Sequence, residues 1–154
     1  MRKFIQRNIQ AFIRFYPPLM GAGIKVSRIS ADCREIDVEM NLRFWNANYV
    51  GTHYGGSLYS MTDPFYMLML IENLGREYVV WDKAASIRFR KPGRGKVTAR
   101  FRITEEQLDE IRRTLESQEK LEPVFTVEVK DESGDVVAEV QKTLYVRKKN
   151  LATT

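Results

Sequence analysis

One carboxylate, Asp63, stands inside the longest apolar stretch of the 154-residue chain, L-Y-S-M-T-D-P-F-Y-M-L-M-L at 58–70. A carboxylate in such a setting is costly unless it has a partner or a job. As a base it could activate water beside a carbonyl, and as a nucleophile it could attack the carbonyl directly. The same Asp63-Pro64 pair also suits an N-cap and first helical position. Just upstream lie Asn48, the single histidine His53 and the pair Gly55-Gly56. Glycines that open a helix present free N–H groups, which can stabilise charge growing on a carbonyl oxygen. A plain turn would use the same glycines for their φ freedom. Asn48 could hold a water or the carboxylate, or close an Asx turn. His53 could face a substrate entrance or simply be solvated, and Tyr54 and Ser57 are nearby hydrogen-bond donors.

A second group is basic: Arg88, Arg90, Lys91 and Arg94 surround the turn K-P-G-R-G. Arginine forks suit phosphate groups, although a run of charge is also the usual composition of a solvated face. The net charge of +5 favours anionic partners. No zinc-finger spacing or aromatic RNA-binding strand is present, so nucleic acid is not expected. One histidine and scattered carboxylates make a poor ligand set, so no metal is expected. The single cysteine, Cys33, excludes an intrachain disulfide and a cysteine-based metal cluster. With 44% hydrophobic and 29% charged residues, the chain reads as one globular domain over 1–154. No apolar run approaches the roughly 20 residues that span a bilayer. The basic start lacks a signal-peptide core, which makes the cytoplasm the expected location.

Hydropathy periods supply the elements. Ile5, Ile9, Phe12, Ile13 and Tyr16 predict an amphipathic helix over 2–16 within an N-terminal segment 1–18, stopped by Pro17-Pro18. Ile24 and Val26 begin a short strand, and Ile36, Val38, Met40 and Leu42 form a half-buried one. A long apolar helix follows from about 56 to 73, with Gly75 as its stop. Strands resume at Val79 and run to Phe89. Val97 to Ile103 reads as the antiparallel partner across K-P-G-R-G. Thr104 and Gln107 make a capping box for a thin, acid-rich helix that Pro123 ends. Val124 to Val129 and Val136 to Val146 form a hairpin around D-E-S-G-D, and 147–154 is a polar tail. The expected class is α+β: six antiparallel strands wrapped around one long, central, apolar helix.

This order resembles the hotdog fold. The phenylacetate-pathway acyl-CoA thioesterases and their relatives carry an asparagine, then H-G-G, then an aspartate; Asn48, Gly55-Gly56 and Asp63 stand at that spacing. Leu58, Tyr59 and Met61 between them are also similar to that group. Two positions depart from it. Tyr54 stands where the family has its histidine, with His53 one residue early, and Pro64 follows the aspartate. The run G-G-S-L-Y-S-M-T-D-P-F is most similar to an uncharacterised bacterial hotdog subfamily of unknown function. The resemblance implies an acyl-CoA thioesterase-like hydrolase with coenzyme A as part of the substrate and no other cofactor. It implies Asp63, Asn48, Gly55, Gly56 and His53 at the reaction centre. Tyr54, Ser57, Leu58, Met61 and Phe65 would lie along the acyl slot, with Arg88, Arg90, Lys91 and Arg94 on the phosphates. Asp82 and Ser86 lie on the strand where the related enzymes keep an assisting serine. The family builds its sites between two subunits, so a homodimer or dimer of dimers is implied. The alternative reading is a non-catalytic binder of acyl groups or lipid with the same slot and basic rim.

Overall fold

Alternation of apolar and polar residues places the strands. The computed structural model describes residues 11–149. In order these are β1 (Ile24–Ile29), β2 (Glu35–Asn41), β3 (Tyr78–Phe89), β4 (Lys96–Arg102), β5 (Lys120–Leu121), β6 (Val124–Asp131) and β7 (Val136–Lys148). The helices are α1 (Pro17–Gly21), α2 (Gly55–Ser60), α3 (Phe65–Leu74) and α4 (Glu105–Ser117). Ile36, Val38 and Met40 of β2 are buried and pair with the buried Phe101, Ala99 and Val97 of β4. All pairings are antiparallel, in the order β1-β2-β4-β6-β7-β3, and β5 lies beside the far end of β7. The α+β class with one large antiparallel sheet is as expected, but with seven strands rather than six.

The K-P-G-R-G segment is not a hairpin turn. β3 pairs with β7 at the sheet edge, whereas β4 lies between β2 and β6. The segment therefore crosses the end of the β6–β7 hairpin. The Arg90 and Lys91 amides donate to Val137, and the Lys91 ammonium bridges Asp131 and Asp135, both at 2.6 Å. The D-E-S-G-D turn thus holds the crossing. β4 alternates cleanly because one of its faces, carrying Val97, Ala99 and Phe101, is buried while the other is not.

The long helix is broken. Pro64 has no N–H to offer the Ser60 carbonyl, which instead accepts from Asp63. Thr62 donates its amide and hydroxyl to Tyr59 O. The chain therefore leaves α2 at Ser60, turns through 61–64 and restarts at Phe65. Proline also acts differently from expectation at the N-terminus. Residues 11–14 are helical, but Pro17-Pro18 begin α1 rather than only ending a helix. Residues 1–10 of the expected helix and 150–154 of the expected tail lie outside the described residues, and β7 extends to Lys148.

α3 packs its aromatic face on the sheet. The Phe65 ring centre lies 4.8 Å from that of Phe101, and Tyr66 stacks on Phe125 at 4.7 Å. At its end, Arg112 of α4 donates to the Asn73 carbonyl, and Gly75 takes the positive φ of 85° that the turn requires. The Thr104–Gln107 capping box opens α4, whose Leu108, Ile111 and Leu115 are buried. β4 and β6 pair only over Val97–Ala99, and in the gap beyond, the Tyr66 hydroxyl donates to Thr126 O at 3.0 Å. Burial pushes that phenol up to about 12. Tyr66→Phe should lower the unfolding free energy by about 1–2 kcal/mol, because it strands a carbonyl in the gap; urea denaturation measures this.

Candidate active site

Asp63 emerges at the break between α2 and α3 with its side chain 48% exposed. It caps neither helix. The N-cap of α3 is Pro64, with no side-chain cap bond. Instead Oδ1 of Asp63 accepts from the Tyr59 hydroxyl at 2.9 Å and from the Lys142 ammonium at 2.9 Å. Lys142 lies on β7, its side chain 1% exposed, and its Nζ is also 3.0 Å from Asp82 Oδ1 on β3 and 3.4 Å from Tyr59 Oη. A bulge between Asp82 and Ala84 sets the register that brings Asp82 there. Burial pushes the Asp82 carboxyl up, and the hydrogen bond from Lys142 pulls it back. Burial also pulls Lys142 down, but its bonds to Asp63 and Asp82 outweigh this and hold it above its ordinary value.

The Asn48–Gly56 loop builds a different place. Oδ1 of Asn48 accepts from the Val50 and Thr52 amides, while Nδ2 donates to Thr52 Oγ1. The side chain thus closes its own loop as an Asx-type turn. His53 is 3% exposed. Its Nε2 donates to Gly95 O at 2.9 Å, since a carbonyl can only accept, and its amide donates to Gly93 O. Nδ1 is buried without a partner among the described residues. His53 therefore pins this loop to the crossing segment. Burial, opposed by the Gly95 bond, holds its pKa below the ordinary imidazole value.

The Gly55 and Gly56 amides bond to no acceptor among the described residues. A side chain at either glycine would have to displace an exposed aromatic ring. A Cβ on Gly55 would lie 2.9 Å from Phe89 Cζ, and one on Gly56 would lie 2.4 Å from the Tyr54 ring. A cleft of about 510 Å³ adjoins them, lined by Asn48, Val50, His53, Leu58, Phe89 and Arg90 among others. Of the residues expected along an acyl slot, Leu58 borders this cleft, Tyr54 is exposed beside Gly56 and Ser57 is buried in α2, while Met61 and Phe65 are packed in the core. Arg90 faces Glu139 and Lys91 is bound to the β6–β7 turn. Arg88 and Arg94 are exposed and make no ion pair among the described residues. Register places Ser86 opposite Gln141, on the outer face, and Ala85 opposite Lys142.

The structure thus joins Asp63 to Asp82, and joins Asn48, His53 and Gly55 around a separate cleft. Lys142 escaped the sequence reading. Its signal was there: a lysine in the inward phase of Ala138, Val140, Leu144 and Val146. Among the described residues no group of three metal-ligating side chains could hold an ion, and no helix is long and apolar enough to cross a membrane.

A large antiparallel sheet with helices in this order is the hotdog fold, and solved structures share it. A Pseudomonas aeruginosa protein of unknown function, described as a probable thioesterase, is 20% identical with a TM-score of 0.74, covering 94% of this chain and 92% of that one. A Haemophilus influenzae thioesterase is 16% identical, with a TM-score of 0.68 and coverage of 97% and 94%. The PaaI protein of the E. coli phenylacetic acid degradation operon is 17% identical, with a TM-score of 0.65 and coverage of 94% and 92%. No curated protein matches the chain in sequence. Residues 6–146 match the family described as Domain of unknown function (DUF4442), and the chain belongs to it.

The state of His53 sets a pH dependence. Its folded pKa is depressed, so its contribution to stability is complete above the unfolded value near 6.5 and is lost as pH falls below it. Melting temperature should therefore fall between pH 7 and 5, and His53→Gln should flatten that slope.

Proposed function

We propose that the protein hydrolyses acyl thioesters, with acyl-CoA as the substrate class and Asp63 as the reacting carboxylate. One observation carries this reading. Beside the buried Met61, Thr62 and Phe65, Asp63 is half-exposed at the helix break, with Oδ1 held by two donors and Oδ2 unbonded among the described residues. The descriptions of two neighbours in fold as thioesterases support the reaction class. Oδ2 takes a proton from water as the water oxygen bonds to the carbonyl carbon, or Oδ2 bonds to that carbon itself. In either route the C–S bond breaks and the thiolate leaves with the electron pair, and in the second route water then cleaves the acyl–Asp63 anhydride to release the acid and regenerate the carboxylate. The Gly55 and Gly56 amides would polarise the carbonyl, such a donor being worth roughly 10²–10³ in rate. Asn48 and His53 hold the loop that aims them.

A second copy of the chain completes the arrangement. The six residues of α2 rise about 9 Å, which separates the Gly55 amides from Asp63 along one chain. Among the described residues β3 is a twelve-residue strand at the sheet edge, unpaired on its outer side, a surface that proteins pair or cover. Pairing β3 with β3 of another copy would bring the Gly55 end of one protomer toward Asp63 of its partner. We therefore propose a homodimer or dimer of dimers. The acyl chain would enter the cleft beside Leu58 and Phe89. Arg88 and Arg94 are the cations available to the coenzyme A phosphates, with Arg90 and Lys91 already paired. The alternative, a non-catalytic acyl or lipid binder, is favoured by one observation: Asp63 is ion-paired to Lys142.

Asp63→Asn separates the two. Lys142 keeps Asp82 as a partner in this variant, so it should fold and bind acyl-CoA as the wild type does. Turnover should drop about 10²-fold or more, read by single-turnover hydrolysis across short, long and aromatic acyl-CoAs. Unchanged turnover would remove Asp63 from the reaction. Arg94→Glu should weaken acyl-CoA binding and leave hydrolysis of a small uncharged thioester within about twofold of wild type; equal loss on both substrates would assign Arg94 to folding instead.

A further inference from the structure

Burying an ammonium in a strand core is expensive, and an apolar residue of similar volume would serve stability as well or better. Yet β7 places Lys142 between Val140 and Leu144 at 1% exposure. Three polar partners converge on it: Asp63 from the α2–α3 turn, Asp82 from β3 and Tyr59 from α2. No other ionisable side chain of the described residues bonds to it. Its strand neighbours at the same height are Ala85 and Phe125. The convergence is therefore specific to Asp63 and Asp82.

We propose that Lys142 is a positioning residue for Asp63, and that Asp82 is the counterweight that keeps Lys142 from quenching it. This rests on the reading of Asp63 as the reacting carboxylate. The geometry gives each group a task. Lys142 and the Tyr59 hydroxyl both donate to Oδ1, which fixes the carboxylate plane and leaves Oδ2 as the oxygen that meets the substrate or water. Tyr59 can do this because its own oxygen lies within 3.4 Å of Nζ and accepts from it. Asp82 takes a further N–H of the same ammonium. Two carboxylates thus share one cation rather than forming a closed one-to-one pair. Remove Lys142, and two carboxylates face one pocket without a counter-ion, so the pair takes up a proton at higher pH. Remove Asp82, and the whole ammonium falls to Asp63, which then stays ionised to lower pH but is a weaker base. Burial already pushes the Asp82 carboxyl upward, with the Lys142 hydrogen bond as the main opposing influence, so its titration reports the loss of Lys142 directly.

The test uses Lys142→Gln, Lys142→Arg and Asp82→Asn in the full chain. Each is followed by carbon-13 titration of labelled aspartate carboxyls and by the pH profile of kcat/KM on an acyl-CoA. In Lys142→Gln the Asp82 carboxyl and the acid limb of the profile should both move up by about one pH unit or more. There kcat should fall at least about tenfold while KM changes by less than about threefold. Lys142→Arg, which keeps the charge, should leave the acid limb near its wild-type position. Asp82→Asn should move the acid limb down. A purely structural lysine would lower the melting temperature and still raise the Asp82 titration, but would leave kcat at its plateau within about threefold of wild type. A folded Lys142→Gln with both titration and acid limb unmoved overturns the proposal. If that variant does not fold, an unmoved acid limb in Asp82→Asn overturns it instead. If the wild type hydrolyses no thioester, the proposed function fails on its own, and the Asp82 carboxyl titration in the Lys142 variants still decides the coupling, an unmoved Asp82 overturning it and a raised one supporting it.

Discussion

A buried ammonium needs partners, and those of Lys142 tie the molecule together. The ion pairs from its Nζ join the middle of β7 to edge strand β3 and to the turn between α2 and α3. That turn exists because Pro64 withholds one N–H from the helix, and the resulting break lets an aspartate reach from the helical layer to the sheet without entering solvent entirely. The aromatic packing of Phe65 and Tyr66 on Phe101 and Phe125 then fixes α3 against the sheet, so that the turn cannot slide relative to Lys142.

The second constraint lies at the other end of α2. Asn48 closes its loop, His53 fastens that loop to Gly93 and Gly95, and Lys91 fastens the crossing segment to the β6–β7 turn. The two glycine amides are thereby held by groups that are themselves held. This division is the physical content of the site: a carboxylate positioned by charge and a pair of amides positioned by a tight polar loop, about two helical turns apart.

The fold was largely legible in the sequence because period-two burial is a strong signal. β2, β4, β6 and β7 lie where alternation put them. What could not be read was which strands are neighbours. K-P-G-R-G has the composition of a hairpin turn, and only the pairing of β3 with β7 makes it a crossing. The helix break was visible at Pro64, but the apolar period on both sides of it argued for continuity, and the energy of one missing hydrogen bond decides such cases locally. Residue type and spacing singled out Asp63 and the glycine pair as candidates. Lys142 was not, since its role depends on Asp63 and Asp82, which lie 79 and 60 positions away in the chain. The free roles imagined for Asn48 and His53 are narrowed by hydrogen bonds that only the folded loop reveals.

The central claim is that the open oxygen of Asp63 and the Gly55–Gly56 amides meet at one thioester across two copies of the chain. A crystal structure with a non-hydrolysable acyl-CoA analogue tests it most directly. The account predicts the carbonyl-equivalent carbon about 3–3.5 Å from Oδ2 of Asp63 in one protomer. It predicts the carbonyl-equivalent oxygen within hydrogen-bonding reach, roughly 2.7–3.1 Å, of the glycine amides of its partner. An analogue bound with its thioester group away from Asp63, or held wholly within one protomer, would contradict the account.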